Sequence, residues 1–494
     1  MNIRKMKNCI LLIVSACWFV NTLKLYAQDK TNVSGVYPHL AMVADQTPRT
    51  EAGTGALFPW ANRLWVITYV AHFSGTGSGT GLYEINDEME IRKRPESVVG
   101  TYANRFLHGP TNQLIIGPHI IDHNGNVRTI EGVINHRLAA TMAHLTDPAN
   151  KVYFLAMEGQ FFEVDVHTLE TKLLFNLCDE LKEPKGSKPH FKSGFTRHGK
   201  VVVCNNSYSV KDYNEEWKAG RLAEWDGKNW TVLEEKPFTE VWSASHFGAP
   251  IIATGWDNAS AIMKVFIPEI KEWKRYRLPK ASKTFDETSC TEWFRIREVE
   301  TERAMMDCHG LFYEIGFHLY ADQLWAIRPV CSHLRVIPDY CSWKGMLVMG
   351  GNQATPMKFG PSDGNPLAGQ PQAGLWFGKT DDLWSWGKPT GEGGVWANDD
   401  VIAGMPSDPY LMYGFTKKSF HLWHDKKEPV SFNIEVDVVG NGEFKSYKTL
   451  TVGSGEYCHY EFPESFSARW VRVTSTKNCK ATAWFILRGV KRNV

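Results

Sequence analysis

A four-strand unit that recurs along the chain constrains the fold more than any other feature. In "GTGALFPWANRLWVITYVAH", Gly53 to His72, two strand-forming runs flank the connector Trp60-Ala61-Asn62-Arg63. "GLYEIN" from Gly81 and "EIRKRPE" from Glu90 supply a third and a fourth strand, set off by turn residues such as Asn86-Asp87. The pattern returns from Arg105, Ala139, Ser193, Val241, Trp293 and Val336. Almost no helical periodicity interrupts it. Four-stranded units of roughly 35 to 55 residues predict an all-β chain built as a β-propeller. Seven blades are expected. An eighth stays open, from Val401 onward, completed by the N-terminal "HLAMVAD" at His39 to Asp45. After Lys426 the strands lengthen ("VSFNIEVDVVG", "ARWVRVTSTKNCKATAWFIL"), which predicts a small C-terminal β-sandwich. The expected division is residues 1–27 as a leader, 28–425 as propeller and 426–494 as sandwich.

The leader is read from Arg4, Lys5 and Lys7 followed by the apolar run Ile10 to Val20, which suits a secretory signal and is short for a membrane span. Cleavage after Ala27 is expected, giving an exported, periplasmic or secreted protein. The alternative is "VSAC", Val14 to Cys17, which resembles a lipobox and would leave a lipid anchor on Cys17. No other segment is apolar enough to be an integral membrane segment. Export leaves eight cysteines, of which Cys458 and Cys479 are the pair expected to join first. Lys+Arg 55 against Asp+Glu 54 gives a net charge of +1 without a long basic run, so nucleic acid is not an expected partner. The 19 Trp and 17 Tyr fit a turn-rich β fold and, where exposed, stacking on sugar rings.

In a propeller the approaches to the innermost strands and the links from second to third strands emerge on one face, where ligands bind. Blade by blade, the expected occupants are Tyr69 and His72, His119, Glu158, Asn205 and Asn206, Asp257 and Asn258, Asp307 and His309, then Asn352 and Gln353. The approaches add Arg105, His136, Arg137, His190, Lys192, Trp242, Trp293, Arg295 and, more loosely, Arg335, while His144, His198 and His246 fall at the opposite end. The candidate catalytic residues are therefore His72, His119, Tyr69, His309 and His190. The candidate substrate-binding residues are Arg105, Arg137, Arg295, Asn206, Trp242, Trp256 and Asn352. Arg, His and Tyr suit β-elimination from a uronic acid: a cation neutralises the carboxylate, a base takes the C5 proton, and the C4 oxygen departs. Glycoside hydrolysis needs two opposed carboxylates, for which Glu158, Asp257 and Asp307 are the candidates. A divalent cation, Ca²⁺, held by Asp257, Asp307 and Asn206 stays open, as do a transition metal held by clustered His and no cofactor at all. A non-catalytic glycan-binding propeller is the third alternative.

The segments "PHLAMV", "GALFPWANRLWVITYVAH" and "WVRVTSTKNCKATAWF" resemble the exported β-propeller polysaccharide lyases of glycan-degrading gut bacteria. Within them the chain is most similar to the group that removes rhamnose from glucuronate on arabinogalactan side chains. The resemblance extends from Gly35 to the C-terminus. It implies a seven-bladed fold, a periplasmic or surface location, and exo-acting eliminative cleavage of the L-rhamnose-α-1,4-D-glucuronate bond, so the expected partner is a uronate-bearing polysaccharide or oligosaccharide. None of that family's catalytic residues is carried over to a position here.

Overall fold

A computed structural model of the 494-residue chain describes residues 39–42, 52–70, 81–208, 218–286, 294–351 and 374–489. The strand Arg63–Val70 shows why these segments fold as they do. Its residues alternate between two apolar clusters: Leu64 and Val66 pack with Val348 and Leu375, whereas Trp65 and Ile67 pack with Ile115 and Phe154. Both faces are covered, so Leu64 to Ile67 reads as an unbroken apolar run, all of it buried. Each such side chain contributes roughly 1.5–3 kcal/mol on burial.

The sheet holding this strand is a four-stranded antiparallel meander over residues 52–93, from an innermost strand Ala52–Trp60 outward. The same meander recurs over residues 105–129, 138–176, 191–234, 238–278 and 295–332. A further sheet is built from Tyr340–Trp343, Met346–Gly350 and Gly374–Gly378, with His39–Met42 as its outermost strand. The innermost strands neighbour one another in sequence order, and Tyr340–Trp343 returns to Ala52–Trp60, so the sheets form a closed ring. This is a β-propeller. The N-terminal strand pairs antiparallel with Gly374–Gly378, so it closes this ring and does not join the segment after Val401.

That segment belongs elsewhere. Thr390–Val401, Cys479–Arg488, Lys417–His424 and Cys458–Glu461 form one sheet. Tyr410–Leu411, Trp470–Ser475, Val430–Asp437 and Lys445–Val452 form another, and the two enclose a common core that includes Trp396, Phe420, Phe432, Val471 and Phe485. The C-terminal unit thus draws strands from Thr390 onward, which corrects the boundary expected at 426. The alternation in Lys417–His424 suits either architecture, and its partner Cys479–Arg488 is too distant in sequence for a local reading to find. Through a parallel pairing of Arg277 with Tyr410 this unit continues the sheet of residues 238–278.

All described cysteines are free thiols. Cys458 faces Leu422 while Cys479 faces Val401, with the strand Lys417–His424 lying between their own strands, so the expected Cys458 to Cys479 bond is absent. No helix among the described residues is long and apolar enough to cross a membrane. The expected leader and Cys17 lie outside the described residues.

Candidate functional site

The innermost strands surround an axial cavity of about 710 Å³. Its lining is charged at one end, because Arg105, Arg295 and Arg297 meet two buried acids there. Asp339 accepts from Arg105 Nε at 2.8 Å, from Arg297 Nε at 2.7 Å and from the backbone N–H of Leu57 at 2.8 Å. Glu240 accepts from Arg297 Nη1 at 2.7 Å and Arg295 Nη1 at 3.2 Å. Arg295 Nε also donates to the carbonyl of Pro338 at 2.9 Å. Burial opposes ionisation of Asp339, but the arginines and the Leu57 N–H outweigh it and hold the carboxyl below its usual range. Arg105 and Arg295, expected to bind substrate, therefore have internal partners supplied by other sheets.

Ahead of the strands Leu138–Ala143 and Phe191–Arg197, a chain of backbone hydrogen bonds ties two adjacent sheets together. Met157 N donates to Arg137 O at 2.7 Å, Phe191 N to Met157 O at 2.9 Å, and Asn206 N to His190 O at 3.1 Å. Arg137, Glu158, His190 and Asn206 are thereby brought together from two adjacent sheets. Arg137 Nε donates to the Glu158 carboxylate. The His190 imidazole is held well below its ordinary pKa, first by burial and then by the charges of Lys192 and Arg137, with the Asn206 amide weakly opposing. It is a neutral ring among cations. The backbone N–H of His190 donates to Ser207 Oγ at 3.0 Å, and Ser207 Oγ donates to Glu183 at 3.1 Å. Asn205 Nδ2 donates to the same carboxylate oxygen at 2.8 Å, and burial pushes the Glu183 carboxyl up. Glu183 escaped the sequence reading because it lies between strands, after the short helix Leu177–Glu180.

The other expected residues are not gathered there. His119 is wholly buried, with Nδ1 3.0 Å from Thr129 Oγ1 and a pKa pushed down to about 4, chiefly by burial. Tyr69 is buried in an apolar cluster with Ala103, Ala139 and Met157. His309 is buried against Phe294 with a ring separation of 4.5 Å, and its Nε2 lies 2.7 Å from Asp286 Oδ1. Trp256 is buried against the same Phe294, so it offers no face to a sugar. Trp242 ends the strand Phe238–Trp242 and lines the far part of the cavity, because that strand begins before the Val241 taken as its start. Asn206 is wholly buried. His72 and Asn352 lie outside the described residues.

The acids offered for hydrolysis are each engaged. Asp257 receives Arg277 Nη1 at 2.9 Å and Nη2 at 3.0 Å, Asp307 lies 2.9 Å from His333 Nε2, and Glu158 holds Arg137. Asp257, Asp307 and Asn206 stand on three different sheets, and among the described residues no group of three His, Cys, Asp or Glu could hold a metal. The Ca²⁺ arrangement expected from sequence does not fit these residues.

No family model and no curated protein matches the chain. Among solved structures it is similar to the β-propeller domain of Cps50 (Swd1) from Myceliophteria thermophila, at 10% identity and TM-score 0.38, over 62% of this chain and 96% of that one. It is similar to the RRP9 WD40 repeats at 10% identity and TM-score 0.38, over 69% and 98%. A luciferin-regenerating enzyme aligns at 7% identity and TM-score 0.37, over 70% and 95%.

Proposed function

We propose that this protein is an exported polysaccharide lyase that cleaves a rhamnose-glucuronate linkage in arabinogalactan-type glycans by β-elimination. The observation that carries the reading is that backbone hydrogen bonds bring Arg137 and His190 together at the ends of two adjacent sheets, where burial and the charges of Lys192 and Arg137 hold the imidazole well below its ordinary pKa. With Arg137 paired to Glu158, the charge of Lys192 suits a uronate carboxylate, and drawing charge from it acidifies the C5 proton. His190 takes that proton, the C4=C5 double bond forms, and the C4–O bond breaks with its electron pair on the departing rhamnosyl oxygen. Water protonates that oxygen. Bound carboxylate offsets the positive charge beside the ring, so the imidazole becomes a stronger base when substrate is present. Glu183 acts as a positioning residue through Ser207. The test is absorbance near the band of a conjugated unsaturated uronate while purified protein is incubated with gum arabic. His190→Ala is expected to lower kcat by roughly 10²–10⁴-fold with native melting. Full activity in that variant removes His190 as the base, and sugar release without the absorbance means hydrolysis.

A further inference from the structure

The axial cavity opens away from His190. Exposure of its lining rises from where each innermost segment enters to where it leaves: Asn104, Glu240 and Arg295 are buried, whereas Leu107, Ser245 and Thr301 are exposed. His190 precedes the strand Phe191–Arg197 and so stands at the other end of the ring. The floor is the arginine belt. Arg105 and Arg297 keep 13% and 16% of their side chains exposed, against 1% for Asp339 and 3% for Glu240. Their Nε atoms, Arg105 Nη2 and Arg297 Nη1 are taken by those acids and by backbone carbonyls, while Arg105 Nη1 and Arg297 Nη2 have no partner among the described residues. The other acids of the lining, Glu298 and Glu300, are exposed and engaged elsewhere: Glu298 accepts from the Glu302 N–H at 2.8 Å, and Glu300 lies 3.6 Å from Arg303. Of the other cations, Lys192 is buried, and Arg197 donates to the carbonyls of Ser245 at 3.3 Å and His246 at 2.5 Å. The walls are aromatic. Phe58, Phe106, Phe195 and Trp242 are each half-buried and packed against core clusters, and all four line the cavity. None of them stacks on another: Trp242 rests on Phe317 with centroids 5.7 Å apart, and Phe58 carries the Arg105 guanidinium at 5.1 Å.

We infer that this cavity binds an aromatic carboxylic acid, its ring held between the aromatic walls and its carboxylate on Arg105 Nη1 and Arg297 Nη2. A volume of about 710 Å³, apolar walls and a few convergent polar groups are what a small-molecule site requires. Each half of the ligand answers one half of the lining. A bare inorganic anion would leave the aromatic walls in water, and an apolar molecule without a charge would strip water from the two guanidinium N–H groups and give nothing back. The site goes beyond the lyase reading and does not rest on it, because His190 lies at the other end of the ring.

The experiment is isothermal titration calorimetry of the full chain with 4-hydroxycinnamate and with 4-hydroxycinnamyl alcohol, which keeps the ring and lacks the carboxylate. The acid is expected to bind one-to-one and the alcohol about tenfold or more weakly. That comparison needs no variant. Trp242→Ala removes a wall and should weaken the acid by about tenfold or more. Ala143→Phe, at the half-buried end of the strand Leu138–Ala143, should do the same by filling the space, and native melting of both variants confirms the fold. His190→Ala should bind the acid as the parent does. A chain that binds the acid without turning over gum arabic therefore keeps this site while removing the lyase reading. Equal affinity for acid and alcohol, unchanged affinity in both cavity variants, loss of binding in His190→Ala, or no binding at millimolar acid overturns the site.

Discussion

At the scale of single residues, burial decides which histidines do what. His119 and His309 are both held near a pKa of about 4, mainly by burial, against about 6.5 in an unfolded chain. Above pH 6.5 both states are neutral and stability is independent of these groups. Below it the unfolded chain binds protons that the folded one refuses, so stability falls until pH reaches about 4, by about 1.4 kcal/mol per pH unit per histidine. Asp307 and Glu183, whose carboxyls burial pushes up, oppose part of that loss. His119→Gln is therefore expected to narrow its stability gap to wild type by roughly 2 kcal/mol between pH 7 and pH 4.5. Urea unfolding at the two pH values reads it, and an unchanged gap sinks the account. A second expectation concerns Asp339, which holds two guanidiniums and the Leu57 N–H. Asp339→Ala leaves Arg105 and Arg297 short of a buried partner and should cost about 3–5 kcal/mol, measured as a lower denaturation midpoint. The positions of Arg105, Arg137 and His190 near strand starts were legible in sequence. That Arg105 meets Asp339 and Arg295 meets Glu240 was not, because each pair joins different sheets and one sequence carries no sign of which acid crosses to which base.

Elements were legible wherever alternation and turn residues coincide. The hairpin around Ala61 and Asn62 is an example: both take positive φ, 49° and 59°, between the strands ending at Trp60 and starting at Arg63. What sequence could not fix is pairing between distant elements. "PHLAMV" reads as a strand, but nothing local says that its partner is Gly374–Gly378. The consequence is testable, since the ring is closed by that pairing and not by a covalent link. A chain beginning at Ala52 loses the outermost strand of one sheet and leaves an unpaired edge. Its melting temperature should drop by about 2–4 °C for each kcal/mol lost, and a synthetic peptide spanning residues 36–48 should restore part of it. Equal melting with and without the segment overturns the closure. The boundary at Thr390 escaped for the same reason: Thr390–Val401 finds its partner in Cys479–Arg488, at the other end of the C-terminal unit.

For the molecule as a whole, the contact between propeller and C-terminal unit resembles a core more than a docking surface. Leu411 and Trp470 belong to the same apolar cluster as Trp256, Tyr276, Tyr313 and Leu324 of the propeller. The Trp470 ring packs tilted against Tyr276, with centroids 4.8 Å apart, and its Nε1 donates to the carbonyl of Leu324 at 3.1 Å. Arg277 donates both to Asp257 within the propeller and to Asp408 of the C-terminal unit at 3.0 Å, while the strand holding it pairs with Tyr410. A large apolar interface with satisfied polar groups couples the unfolding of its two sides. Calorimetry of the full chain should therefore show one transition. Trp470→Ala removes a buried side chain that touches both units, so it should cost about 3–5 kcal/mol and lower that transition as a whole. If instead the wild-type trace resolves two transitions, and Trp470→Ala moves only the one that also disappears on truncation at residue 389, the C-terminal unit folds by itself.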